Sequence, residues 1–159
     1  MNIKTLSERI AIPVRKIRYV IDHDLVPEST WYVDEFTAGR ARVFDESGAV
    51  FIACAAYLLN AGYKRDSVRE LLSAVGKIMP TGRNPLGLPI MELFLTSQEA
   101  ARVQFADGLY VRWLTAGGTG EWIDPANPKA SQSHLVPKVV VDLNFSEIRD
   151  QVRGRKSPT

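Results

Sequence analysis

The chain has 159 residues, enough for one medium domain or two small ones, and 45% of them are hydrophobic, enough for at least one core. A formal net charge of +2 makes the protein only mildly basic, so polyanion affinity through bulk charge is excluded and any such case rests on where the charges sit. The single cysteine, Cys54, excludes an internal disulfide framework and any multi-cysteine metal site, and no stretch approaches the roughly 18 apolar residues of a membrane span.

Met1–Ile10 carries Lys4, Glu8 and Arg9 and lacks the apolar run of a signal peptide, which points to a cytoplasmic protein. Thr5-Leu6-Ser7-Glu8 reads as a capping box opening a short helix with Leu6 and Ile10 on its apolar face. Pro13 ends that helix by excluding Ile12 from helical geometry, and it suits the first position of a second helix, where its missing N–H costs nothing. This second helix is expected to run to about His23, with Val14, Ile17 and Ile21 as its stripe. Two short helices about a tight turn form a helix-turn-helix arrangement.

After Pro27 the composition turns to β type. Trp31-Tyr32-Val33 and Ala41-Arg42-Val43-Phe44 are expected to form a hairpin with Gly39 in its loop. Asp45 is an N-cap for a strongly apolar helix through Val50, Phe51, Cys54, Ala55, Leu58 and Leu59, closed by Gly62 in a left-handed cap. Asp66 is expected to cap a fourth helix bearing Val68, Leu71, Leu72 and Val75 and ending at Gly76. Tyr63 and Phe44 read as core residues.

Residues 77–89, with three prolines and two glycines, read as a linker. Ile90–Thr96 suits a short helix. Arg102–Phe105 and Leu109–Trp113 alternate as strands around Asp107-Gly108, a strong two-residue hairpin signal, and Trp122-Ile123 suits a third strand. Gly117–Gly120 reads as a flexible loop, and Asp124–Pro137 as an exposed one. Lys138–Leu143 reads as a buried strand, followed by a closing helix capped by Asn144 or Ser146 with Ile148 and Val152 on one face. The expected organisation is α+β, with domains 1–76 and 90–153, a linker 77–89 and a disordered tail 154–159.

The order of elements over the first half resembles the DNA-binding domain of the MerR family. Thr5-Leu6-Ser7-Glu8-Arg9-Ile10 resembles its opening helix, and Val14-Arg15-Lys16-Ile17-Arg18-Tyr19 its "V-R-x-I-R-Y" recognition helix. Asp24-Leu25-Val26-Pro27 stands where the family has "G-L-[IL]-x-P", Arg42-Val43-Phe44 resembles the wing's "R-x-[YF]", and Gly62-Tyr63 with Val68–Leu72 resembles its "G-[FY]…I-x-x-[LI]-[LM]" helix. Val20 replaces the family's second tyrosine. Asp24 replaces its glycine and must adopt the left-handed conformation, which Asp tolerates better than most residues. The resemblance covers just under half the chain and implies a MerR-like winged helix-turn-helix followed by a small αβ module with a β-hairpin.

It also implies a sequence-specific transcriptional regulator of bacterial type, nucleoid-associated, binding double-stranded DNA as a homodimer with a recognition helix in the major groove and the wing on flanking backbone. On the second helix Arg15, Arg18 and Tyr19 share a face, with Lys16 beside it. Arginine can donate in bidentate fashion to guanine or clamp phosphate, and a tyrosine hydroxyl reaches phosphate oxygens. Arg40 and Arg42 belong to the wing, where Arg42 equally suits pairing with Asp45 or Glu46, while Lys64 and Arg65 stand at the start of the fourth helix, near its N-terminal N–H groups. Residues 1–76 carry ten Lys/Arg and ten Asp/Glu, so only placement can make this half cationic.

Two other readings stay open. Small winged helices of this kind also resemble phage excisionases and terminase small subunits, which bend or mark DNA. An antitoxin-like adaptor whose C-terminal half grips another protein is the third reading, and that half also suits dimer contacts through Phe105, Tyr110 and Trp113 or the final strand. An enzyme is not expected: His23 and His134 stand in unrelated contexts, no H-E-x-x-H, P-loop or G-x-S-x-G is present, and no cofactor or metal is implied. Asp124 and Asp142 lack the spacing of a working carboxylate pair, and Cys54 lies on an apolar helix face as a packing residue.

Overall fold

The computed structural model describes residues 1–26, 43–78, 101–106, 110–115, 118–131 and 134–155, and among them the fold is α+β. The chain divides into two compact units, Met1–Leu72 with Glu147–Thr159, and Ser73–Ser146. The closing helix, from Glu147 on, falls in the N-terminal unit.

The N-terminal unit holds α1 (Ile3–Ile10), α2 (Val14–Asp22), α3 (Glu46–Asn60), the first half of α4 (Arg65–Ile78) and most of α5 (Phe145–Val152). Helix α1 starts earlier than the Thr5 capping box implied. Asn2 is the N-cap, accepting from the Thr5 N–H at 2.9 Å, so Thr5 and Glu8 lie inside the helix. The start is held by pairing with the strand-like segment before α3: Met1 and Phe44 exchange backbone hydrogen bonds, and Asn2 bridges antiparallel to Val43. The rest of the expected hairpin wing lies outside the described residues.

Helix α3 is buried on nearly every side from Ser47 to Ala56 and again at Leu58. Its Asp45 cap is as expected, accepting from the Gly48 N–H at 2.7 Å, and Gly62 closes it at φ +97°. Gly48, Ala49, Ala53, Ala55 and Ala56 carry little bulk, which lets neighbouring helices approach from all directions, and α1 and α2 both pack against it. Helix α4 runs on to Ile78, past the expected end at Gly76, so the linker does not begin at residue 77. Its first-turn acceptor is the Lys64 carbonyl, bonded by the Val68 N–H, and Asp66 lies inside the first turn, where its charge favours the helix dipole.

From Glu147 on, helix α5 contributes the expected Ile148 and Val152 to the core, together with the buried Arg149. The Arg9 guanidinium donates to the Val152 carbonyl at 2.6 Å, Arg153 holds Glu46 at 2.6 Å, and the Tyr57 hydroxyl stands between the Ile10 carbonyl and the Gln151 amide. Gly154 ends the helix at φ +78° with Arg9 packed against it.

The second unit contains an antiparallel sheet of β1 (Ala101–Ala106), β2 (Tyr110–Thr115), β3 (Gly118–Thr119), β4 (Ile123–Asp124), β5 (Asn127–Ser131) and β6 (Val140–Leu143). Strand order is β5-β4-β2-β1-β6, with β3 also on β2. Ala106 pairs with Tyr110, so three residues separate the paired ends where two were expected, and Asp107–Leu109 lie outside the described residues. Gly118-Thr119 pair with Leu114 and Thr115 where a flexible loop was expected. Within the expected exposed loop, Asp124 accepts from the Ala126 N–H at 2.9 Å, and this side-chain turn folds β5 back on β4. The expected buried strand is instead a sheet-edge strand, β6, buried only at Leu143 while Val140 is 43% exposed.

Alternation puts Val103, Phe105 and Val111 in the core and the polar partners on the other face. There Arg102 and Gln104 donate to the two Asp142 oxygens at 2.9 and 3.0 Å, Arg112 donates to Gln104 at 2.9 Å, and its guanidinium lies 4.2 Å from the Trp122 ring centroid. Burial alone would raise the Asp142 carboxyl, but hydrogen bonds from Arg102 and Gln104 and the Arg102 and Arg112 charges together hold it below the ordinary carboxylate range.

Val152→Ala removes two methyl carbons at a fully buried position and is expected to cost about 2 kcal/mol in thermal unfolding. Val136→Ala, at a position 85% exposed, should change stability by less than about 0.5 kcal/mol. Asp142→Asn should be destabilising at neutral pH, and its difference from the parent should close as pH falls through and below the usual Asp range, because a depressed carboxyl stabilises only while ionised; urea midpoints across pH would show this.

Candidate nucleic-acid interface

The residues singled out for binding centre on α2, whose ends are set by local chemistry. Pro13 stands one position before the helix as its N-cap at φ −57°, ψ 140°, and its carbonyl accepts from the Lys16 N–H at 2.9 Å. At the other end Asp24 takes φ +50°, the left-handed conformation expected of it. The Asp24 N–H then reaches the Ile21 carbonyl at 3.2 Å and the Leu25 N–H reaches Val20 at 3.1 Å, the bonding of a Schellman turn. Leu25 and Val20 are both fully buried, supplying the apolar contact that accompanies such a turn.

The buried positions of α2 are Ile17 and Val20, with Val14 and Ile21 half-buried, so the stripe is rotated from the one expected. Val20, which departs from the family's tyrosine, is therefore a core residue. The rotation leaves Arg15, Arg18 and Tyr19 exposed together along one side of the nine-residue helix. Tyr19 is 41% exposed and packs its ring against His23, with centroids 4.2 Å apart. Neither Arg15 nor Arg18 has an ion-pair or hydrogen-bond partner among the described residues. Asp22, exposed on the next turn, is engaged with a partner.

The other candidates differ in their surroundings. The Lys16 ammonium is bonded to the Asn60 side-chain oxygen at 2.5 Å, which ties α2 to the end of α3. Lys64 is exposed beside the start of α4, and Arg65 pairs with Asp66 at 3.7 Å. Arg40 and Arg42 lie outside the described residues. The sequence reading missed Arg69. From α4 it donates to the His23 carbonyl at 2.8 Å and the Asp24 carbonyl at 3.3 Å, and it also pairs with Asp66. Its Asp66 spacing was visible in the sequence; its reach to the α2 terminus depends on how the helices cross.

Elsewhere in the unit a cleft of about 450 Å³ is bordered by Arg9, Ile10, Tyr57, Gln151 and Arg155. Arg9 and Tyr57 are already committed there to backbone carbonyls, so the cleft is part of the seam between α1 and α5. Among the described residues no three His, Cys, Asp or Glu side chains gather as a metal site, and no helix is long and apolar enough to cross a membrane. Phe105, one of the residues considered for dimer contacts, is buried within its own sheet unit. No family model, curated protein or solved structure matches the chain.

Cys54 is fully buried in α3, and desolvation raises its thiol far above the ordinary range. Native protein at pH 8 is therefore expected to resist a thiol-directed reagent for as long as it stays folded, and the urea-unfolded chain to react stoichiometrically. Rapid labelling of the native form would contradict this burial. The same shift predicts that stability falls as pH rises above about 9.0, where the unfolded thiol ionises and the buried one does not.

Proposed function

We propose that the protein is a MerR-like, sequence-specific DNA-binding regulator in which α1 and α2 form a helix-turn-helix and α2 is the recognition helix. The observation that carries the reading is the division of α2 into two sides. Ile17 and Val20 anchor it in the core, while Arg15, Arg18 and Tyr19 project from it, both guanidinium groups having no partner among the described residues. Arginines on the outer side of a helix following a tight turn suit guanine O6 and N7 or phosphate oxygens, and the Tyr19 hydroxyl suits a backbone phosphate. Lys64, exposed beside the start of α4, suits a flanking phosphate. Arg40 and Arg42, outside the described residues, keep the wing role that the family resemblance implies for them.

A single small module of this kind gives limited affinity, so the working form is proposed to be a homodimer on a two-fold-related site. The sheet unit, with its edge strand β6, is the proposed source of the dimer contact. Regulation is favoured over DNA packaging or excision by the same resemblance, and the footprint distinguishes them: one two-fold-related site for a regulator, tandem repeats for an architectural protein.

The test is selection of bound sequences from a random duplex pool, followed by salt titration of the enriched site. The parent should enrich a two-fold-related motif. Arg18→Ala should relax preference at one position per half-site by about 1–3 kcal/mol if it reads a base, or lower the salt slope by about 0.9 per phosphate lost. No binding at low salt by the parent would overturn the proposal.

A further inference from the structure

Helix α2 is held at both ends by side chains from the helix pair α3–α4. At its N-terminal end the Lys16 ammonium is bonded to Asn60, the last residue of α3. At its C-terminal end Arg69 of α4 donates from two nitrogens to the His23 and Asp24 carbonyls, the acceptors left open where the helix stops. Asp66 pairs with Arg69, restricting the guanidinium from the α4 side. A cation at that end also opposes the negative pole of the α2 dipole.

We propose that Lys16 and Arg69 are positioning residues that fix the tilt and axial placement of α2, and that neither touches DNA. The inference rests on the reading of α2 as the recognition helix. It reassigns Lys16, whose charge and position on α2 otherwise suit a phosphate contact. Base readout needs hydrogen-bond geometry held to a few tenths of an ångström, whereas phosphate contact tolerates more. A helix of nine residues, buried only at Ile17 and Val20, has few apolar contacts to set its angle. Directional bonds at its two ends supply that constraint, and Arg18, lying between them, and Arg15, next to Lys16, inherit it.

The test compares specific and nonspecific affinities and the salt slope for the full chain and its variants, using the enriched duplex and a scrambled duplex as probes. Lys16→Gln and Arg69→Ala are each expected to lower the specific-to-nonspecific ratio at least about fivefold, the lower end of what one base contact supplies, with the salt slope unchanged. Simple destabilisation would reduce the active fraction for both duplexes equally and leave the ratio alone. Arg69→Lys, able to hold one carbonyl, should recover part of the ratio. Asn60→Asp, which turns the Lys16 acceptor into an anion, should preserve both ratio and slope. A fall of about 0.9 in slope for Lys16→Gln, or weakened binding in Asn60→Asp, would identify Lys16 as a phosphate contact and overturn its part of the proposal. An unchanged ratio in Arg69→Ala would overturn the other part.

If the parent binds no duplex, the DNA reading fails, and amide exchange decides the clamp separately. Faster exchange at the Asp24 and Leu25 amides in Arg69→Ala, with α1 amides unaffected, would uphold the positioning of α2. Unchanged exchange there would refute it.

Discussion

The near-complete burial of α3 is the constraint from which the N-terminal unit follows. A helix that is apolar on all sides is unstable in water until other elements cover each face. Here α1 and α2 pack against it, and α5 adds Ile148 and Val152 from the far end of the chain. Small residues at Gly48, Ala49, Ala53, Ala55 and Ala56 let those elements come close, so that dispersion contacts are dense and Cys54 is sealed from solvent. The covering helices are short, and each must stop where the packing requires. Asp24 and Gly154 make those stops on α2 and α5, as Gly62 does on α3 itself, with left-handed residues and Schellman-type bonding.

That packing also determines which charges remain available. Ten cationic and ten acidic side chains in residues 1–76 suggest no net preference for an anion. The folded unit separates them by commitment. Arg9 is drawn to the Val152 carbonyl, Arg153 to Glu46, Lys16 to Asn60, and Arg69 to the end of α2 and to Asp66. Arg15 and Arg18 retain their full hydrogen-bonding capacity among the described residues. The proposed affinity for a polyanion then rests on a local row of donors on one helix, which a neutral unit can present as well as a basic one.

The second unit is organised by sheet alternation. The core side is carried by Val103, Phe105 and Val111, and the other side by a connected run of Arg102, Asp142, Gln104, Arg112 and Trp122. Each polar group in that run satisfies its neighbour, which is the arrangement a sheet face needs to stay ordered. Strand β6 completes the run by supplying Asp142 at the sheet's edge, so the exposed valines nearby accompany a residue whose partners lie on β1.

How far the sequence could be read depended on the range of each interaction. Local devices were legible: the Asp45 cap, the Gly62 stop, the left-handed Asp24, the break imposed by Pro13 and the apolar run of α3 all act within a few residues. So did Arg15, Arg18 and Tyr19 as one exposed side of α2, because helical spacing fixes which residues are neighbours. The start of α1 was misplaced because its Asn2 cap is held by pairing with Val43 and Phe44, some 40 residues away. The α2 stripe was rotated because Val20 is drawn inward by Leu25 across the turn. Short strands such as Gly118-Thr119 and Asn127–Ser131 carry little apolar signal and exist because β2 and β4 offer free edges. Arg69 on the α2 carbonyls, Lys16 on Asn60, and the return of α5 to the N-terminal unit required the tertiary structure, since sequence spacing specifies neighbours along one element and only packing specifies which elements meet.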